Sequence, residues 1–227
     1  MKNINDVCVI IQARLSSERV PEKMIKSFGD SSLFEIGCRK LKESNIIPKE
    51  NIYVSVYEQE LIDIAKKCNM NIFYRSKKSI NSESESLSEL YDWYDKLSFK
   101  YVILLNACNP LLRIETIDSF IQKYLESDKD GMFGVTKKKN YYWDKDKKSI
   151  TDWKDFETMN TKIVDPTYEA AHCLYASRMD IIGDGYWMDN KYPPEPELFM
   201  VDELESFDID YKWQFEMAEI LYKKQIG

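Results

Sequence analysis

One histidine, His172, is all this 227-residue sequence contains, so a mechanism needing two imidazoles is excluded. Catalytic chemistry has to come from carboxylates, lysine, arginine, hydroxyls or a bound metal. Cysteine is sparse and scattered: Cys8, Cys38, Cys68, Cys108 and Cys173 include no pair at C-x-x-C spacing. Such an odd set reads as reduced core cysteine, not as a disulfide framework or zinc site. No stretch approaches the roughly 18 apolar residues of a membrane span. The run at 7–11, close behind Asp6, is too short for a signal peptide, so a cytoplasmic protein is expected. A basic excess is missing too. The net charge of −7 argues against a general nucleic-acid binder, although an acidic enzyme can still present a locally basic cleft to a small anion.

The chain is long enough for a substantial core, and a single domain over 1–227 is expected. Val7-Cys8-Val9-Ile10-Ile11 is continuous and β-rich, as suits a strand buried on both faces of a parallel sheet. Apolar spacing predicts helices over 32–45, 58–68, 82–97 (with Ser82 as cap) and 114–124. Short apolar runs predict strands at 51–56, 71–74, 101–105 and 131–135. This alternation predicts an α/β fold: a mostly parallel, Rossmann-like sheet with helices on both faces. Ligands bind such sheets at the carboxyl ends of the strands. The loops after Ile11, Val56 and Leu105 are therefore expected to line a site. Beyond that point the pattern loosens. Residues 137–155 are charged and aromatic (Tyr141, Tyr142, Trp143, Trp153) and read as an exposed strand pair or small protruding arm. A short strand is expected at 174–176, irregular proline-rich chain at 192–197 and an amphipathic helix at 213–224.

The loop after the first strand concentrates chemistry. Between Gln12 and Lys23 it carries Arg14, Arg19 and Lys23 with Ser16 and Ser17. Cations offset the charge of a triphosphate, and hydroxyl and backbone N–H donors satisfy its oxygens. Charge alone leaves a solvated basic loop equally open.

The same residues resemble a family signature. Ala13-Arg14-x-x-Ser17-x-Arg19-x-Pro21-x-Lys23 after a hydrophobic strand is similar to the motif of the sugar-acid cytidylyltransferases, which make CMP-Kdo and CMP-sialic acid, and of their spore-coat polysaccharide relatives. With Leu15, Ser16 and Glu18 the loop is closer to the Kdo-type branch. Leu104 to Leu111, followed by Arg113 and a helix, is similar to the second motif. The Kdo branch has a metal-binding aspartate there. Ala107-Cys108-Asn109 offers no acid, so that ligand is not carried over. Ser206-Phe207-Asp208-Ile209-Asp210 resembles the terminal Asp-x-Asp segment of the sialic-acid branch. The resemblance implies a nucleotide-diphospho-sugar transferase fold, with Ala13, Arg14, Ser17, Arg19 and Lys23 on the nucleotide. Arg14 and Lys23 would stabilise departing pyrophosphate. It also implies a site role for Arg75, otherwise a surface ion-pair residue, and a homodimer built through an arm at about 137–165.

Asp208 and Asp210 have a reading of their own. Residues two apart in extended chain point the same way, so both carboxylates would face one side, with Ile209 turned to the core. Mg²⁺ prefers carboxylate and phosphate oxygens, and these two acids would hold it against a triphosphate. Asn106, at the end of the strand at 101–105, could read a pyrimidine edge or ribose hydroxyl, or simply form a turn. Asn109 before Pro110 suits a turn, Lys137 to Lys139 a solvated charge run, and His172 a satisfied, partly buried histidine. The expected activity is transfer of CMP from CTP to a sugar, acidic and destined for surface polysaccharide, with loss of pyrophosphate. The alternatives are a nucleotidyltransferase using another triphosphate or a non-sugar acceptor, and a non-catalytic nucleotide-binding protein.

Overall fold

The run from Val7 to Ile11 is continuous because both faces of its strand are covered. Strand β1 (Val7–Gln12) sends Val7, Val9 and Ile11 into one apolar cluster and Cys8 and Ile10 into another across the sheet, all fully buried. Side chains alternate along a strand, so only an uninterrupted apolar run fills both sides. The computed structural model describes residues 1–80, 86–152, 159–188 and 195–226.

A two-stranded hairpin, β2 (Ser27–Phe28) and β3 (Ser31–Ser32), follows the β1 loop; the sequence pattern does not announce it. Helix α1 (Leu33–Glu43) starts where the Ser32 hydroxyl accepts the Glu35 N–H at 3.3 Å, a capping interaction. Gly37 lets α1 approach β1: a Cβ there would lie 3.2 Å from Ile11 Cδ1. Strand β4 (Ile52–Val56), helix α2 (Gln59–Lys67) and strand β5 (Asn71–Tyr74) follow as expected. The helix expected over 82–97 shrinks to a single turn, α3 (Leu87–Leu90), capped by Ser86; Ser82 lies outside the described residues. The apolar spacing there instead serves turns that bury Trp93, whose indole N–H donates to Gln12 Oε1 at 2.7 Å. Strand β6 (Tyr101–Leu105) and helix α4 (Ile114–Glu126) meet expectation.

Strand β7 (Met132–Lys138) is longer than expected, so Lys137 and Lys138 belong to the strand. Lys138 pairs with Glu203 and Glu169 and is not merely solvated. The short strand expected at 174–176 is a twelve-residue β8 (Thr167–Arg178). Among the described residues between them, Trp143 and Ser149 form an antiparallel bridge; Trp153 lies outside the described residues. Strand β9 (Glu197–Met200) begins at the end of the stretch expected to be irregular. Helix α5 (Lys212–Ile226) buries Phe215, Ala218 and Tyr222 but exposes Trp213, Met217 and Ile220, so it is apolar on two sides instead of amphipathic.

The sheet order is β5-β4-β1-β6-β8-β7-β9. β8 runs against β6 and β7, and the remaining pairings are parallel. The buried residues of α1, α2, α4 and α5 share the first cluster. The opposite face is covered by the α3 segment with Trp93, Met179, Ile182 and Trp187. The carboxyl ends of β1, β4 and β6 thus open on one side, where a crevice forms.

Candidate active site

At that edge lies a cleft of about 580 Å³ lined by Gln12, Ala13, Arg14, Ser16, Ser17, Glu18, Arg19, Lys23 and Met24 from the β1 loop and by Asn106 and Cys108 from beyond β6. Ala13 N–H donates to Ser55 O at 3.1 Å, which continues the pairing with β4 for one residue beyond β1. The loop then leaves the sheet. Glu58, at the N-cap of α2, accepts the Leu15 N–H at 2.9 Å, and Arg14 Nη1 donates to Ile80 O at 3.2 Å. Glu22 sits at φ 53°, a left-handed conformation uncommon outside glycine, and the turn it makes returns Lys23 to the cleft.

The C-terminal segment meets this loop. Ile209 is fully buried, and its N–H donates to Cys108 O at 3.1 Å. Lys23 Nζ donates to Ile209 O at 2.5 Å and lies 3.9 Å from Asp210 Oδ1. Arg19 Nη2 donates to the same Asp210 oxygen at 2.7 Å, and its guanidinium lies 5.2 Å from the Tyr211 ring centroid. Residues 191 and 186 positions apart are therefore joined at one cleft. Asp208 is partly buried and its Oδ1 has no hydrogen-bond partner. Burial, and then the neighbouring Asp210 carboxylate, raise the Asp208 carboxyl above its ordinary value; Lys23, His172 and Arg19 act in the opposite sense.

A buried carboxylate oxygen without a donor is what a cation would satisfy. Two carboxylates suit Mg²⁺, which keeps waters and takes further oxygens from phosphate. Among the described residues no group of three or more ligating side chains could hold a metal, so Asp208 and Asp210 would form a site only together with ligand oxygens. Cys108, where the Kdo-type pattern has an acid, is 8% exposed, and burial pushes its thiol up to about 11. It stays protonated and supplies no charge.

Asn106 does two things. Its Oδ1 accepts the Cys108 N–H at 3.0 Å, a local turn, while its Nδ2 donates to His172 O at 2.8 Å and the residue lines the cleft. Arg75 is not brought to the cleft surface. It is 5% exposed, and its guanidinium donates to Ala13 O at 3.3 Å, to Ser79 and to Leu90 O. Burial holds it down to about 10. It braces the root of the loop from behind and makes no surface ion pair. His172, expected to be partly buried, is exposed at φ 52° where the β7–β8 register shifts. Its Nδ1 lies 3.1 Å from the Tyr175 hydroxyl. Sequence reasoning also passed over Glu58 and Tyr211. Glu58 had a signal, since it follows β4 at the crevice end; Tyr211 had only its adjacency to Asp210.

A family model described as Cytidylyltransferase matches residues 8–185. The chain belongs to the cytidylyltransferase family. Among curated relatives, the spore coat polysaccharide biosynthesis protein SpsF of Bacillus subtilis (strain 168) is 26% identical over 129 residues, covering 56% of this chain and 53% of SpsF. The post-translational flagellin modification protein B of Campylobacter coli is 21% identical over 238 residues, covering 98% of this chain and 97% of that protein. The chain spans about half the length of the first two curated relatives it matches. Among solved structures, CMP:2-keto-3-deoxy-manno-octonic acid synthetase complexed with CTP superposes with a TM-score of 0.68. It covers 96% of this chain and 99% of its own, at 10% identity. At that identity the likeness establishes the shared fold. This member of the cytidylyltransferase family thus combines the mostly parallel sheet with a basic loop and two carboxylates at its crevice.

Proposed function

We propose that this protein transfers a cytidylyl group from CTP to a hydroxyl of a sugar, an acidic one used in surface polysaccharide, and releases pyrophosphate. One observation carries the reading: the loop that lines the cleft with Arg14, Ser17, Arg19 and Lys23 is tied through Arg19 and Lys23 to Asp210, two residues from Asp208, at the carboxyl ends of β1 and β6. The solved relative named for its CTP complex shares the fold, and SpsF is named for polysaccharide biosynthesis.

In the reaction, the acceptor oxygen attacks the α-phosphorus in line, and the bond from that phosphorus to the bridging oxygen of the β-phosphate breaks. Ser17 donates its hydroxyl to a phosphate oxygen. Arg14, Arg19 and Lys23 gather the charge that builds on pyrophosphate. Such transfer rests on positioning and electrostatics, with no covalent enzyme intermediate. Asp208 and Asp210 would hold Mg²⁺, whose chemistry when bound is to neutralise triphosphate charge. Asn106, fixed by the His172 carbonyl, presents its amide at the base and ribose end of the cleft. His172 and Tyr175 lie within electrostatic reach of Asp208, and the acceptor would approach on that side.

Trp143, Ile150, Ile163 and Tyr168 are exposed on and around the arm, and exposed aromatics of this kind support a homodimer contact. No helix of the described residues is long and apolar enough to cross a membrane, in keeping with work in the cytoplasm on soluble nucleotide and sugar.

The test is pyrophosphate release with each of the four nucleoside triphosphates, Mg²⁺ and a panel of neutral and acidic sugars. Release with CTP and an acidic sugar is the expected result. Release with another triphosphate reassigns the base. Tight nucleotide binding without release for any acceptor makes the protein a binding module instead.

A further inference from the structure

The two carboxylates of the cleft are not equivalent. Asp208 has an oxygen with no partner, whereas an Asp210 oxygen accepts from Arg19 at 2.7 Å and has Lys23 Nζ at 3.9 Å. Arg19 is exposed and comes from the loop that faces these acids. Its guanidinium also lies over the ring of Tyr211, itself half exposed. A guanidinium and a divalent cation repel each other and cannot both use one carboxylate oxygen well.

We propose that Arg19 is an exchangeable cap on Asp210, and that Tyr211 is a positioning residue that keeps the guanidinium at the cleft mouth when it leaves. This rests on reading the site as one for a nucleoside triphosphate with a divalent metal. Phosphate oxygens arriving with the nucleotide offer Arg19 a bidentate acceptor. Asp210 is then free for the cation that accompanies them. The attraction between guanidinium and ring does not depend on the carboxylate, so Tyr211 holds Arg19 throughout. An exposed ion pair is weak and salt-screened, which makes the exchange easy. The consequence is ordered occupancy: the free protein disfavours bare metal and accepts metal together with nucleotide.

The experiment is titration of the full chain with Mn²⁺ alone, followed by the EPR signal of the free ion. Arg19→Gln should bind Mn²⁺ about two- to fivefold more tightly than wild type, the range an exposed pair supports. Arg14→Gln removes the same charge from the same loop, but Arg14 donates to Ile80 O and not to Asp210. It should change Mn²⁺ affinity by less than about 1.5-fold, because charges out of contact are screened. No tightening in Arg19→Gln, or equal tightening in Arg14→Gln, overturns the cap. For the second residue, calorimetry with CTP and Mg²⁺ should show binding weakened about threefold in Tyr211→Ala and partly restored in Tyr211→Phe, which keeps the ring but loses the hydroxyl that also meets Arg19. Mn²⁺ affinity without nucleotide should rise toward that of Arg19→Gln in Tyr211→Ala, which loosens the cap, and stay nearer wild type in Tyr211→Phe. A Tyr211→Ala variant that binds nucleotide as wild type does overturns the positioning role. If wild type binds no nucleoside triphosphate, the functional reading fails, while the Mn²⁺ comparison still decides whether Arg19 caps Asp210.

Discussion

The two sides of the sheet are built on different terms. In the β5-β4-β1-β6 half, parallel strands carry short apolar runs, and each is joined to the next by helices or turns packed on the sheet. In the β8-β7-β9 half, the long strand β8 runs backwards, its register with β7 shifts between Phe133 and Val135 of β7, and polar residues occupy much of its length. The first half brings the basic loop to the crevice by connectivity alone. The second half shapes the opposite wall through pairing choices that depend on distant chain. Local pattern therefore suffices for a basic loop at a strand end, while the other half of the sheet depends on how strands find register. The proposed site lies at the carboxyl ends of β1 and β6, where the segment at 207–210 meets the β1 loop.

That contrast can be broken most severely at Asp210. Asp210→Asn should lower turnover by at least about 100-fold, the scale seen when a charge-stabilising group is removed, with circular dichroism unchanged. A variant releasing pyrophosphate at the wild-type rate would leave all the chemistry in the β1 loop and end the idea of a shared site.

Stability should divide along the same line. Phe34, fully buried in the parallel half, should cost about 3–5 kcal/mol as Phe34→Ala. Trp143 in the arm, 54% exposed, should cost within about 0.5 kcal/mol as Trp143→Ala. Denaturant unfolding measures both. A large loss for Trp143→Ala in the folded protein at low concentration would mean that the arm packs inward, and a loss appearing only at high concentration would fit its dimer role.

The smallest expected effect concerns pH. The folded-state value of Asp208 is raised, so its contribution favours the native state below the unfolded value of about 3.8 and is lost as pH rises through the folded value. Above that, the ionised carboxylate is held at a cost. Asp208→Asn should therefore be more stable than wild type at neutral pH, with the difference closing as the pH falls below about 4. Melting temperatures in Mg²⁺-free buffer across that range provide the measurement. Equal stability at neutral pH would mean that Asp208 is not strained by its neighbours.

Much of this was readable from the chain. Strand β1 was legible because its covering on both sides demands an unbroken apolar run, and α1 because Leu33, Phe34, Ile36 and Leu41 fall at helical spacing. The β1 loop was legible because its cations and hydroxyls lie close together in sequence. Other features resisted. The pattern at 82–97 looked helical, yet its apolar residues serve turns around Trp93 and Gln12. Arg75 looked like a site or surface residue, yet it is buried against the Ala13 carbonyl. His172 gave no sign of its left-handed backbone, because that follows from a register shift with β7.

The α/β alternation, the basic loop after β1 and the paired acids near the C-terminus each depend on residues a few positions apart, and so follow from the local pattern of the chain. Folding alone brings Lys23 and Arg19 to Ile209 and Asp210, keeps Cys108 neutral beside them, and leaves Asp208 an unpartnered oxygen. Those outcomes are set by burial and by contacts between residues 186 and 191 positions apart, and local propensity contains neither.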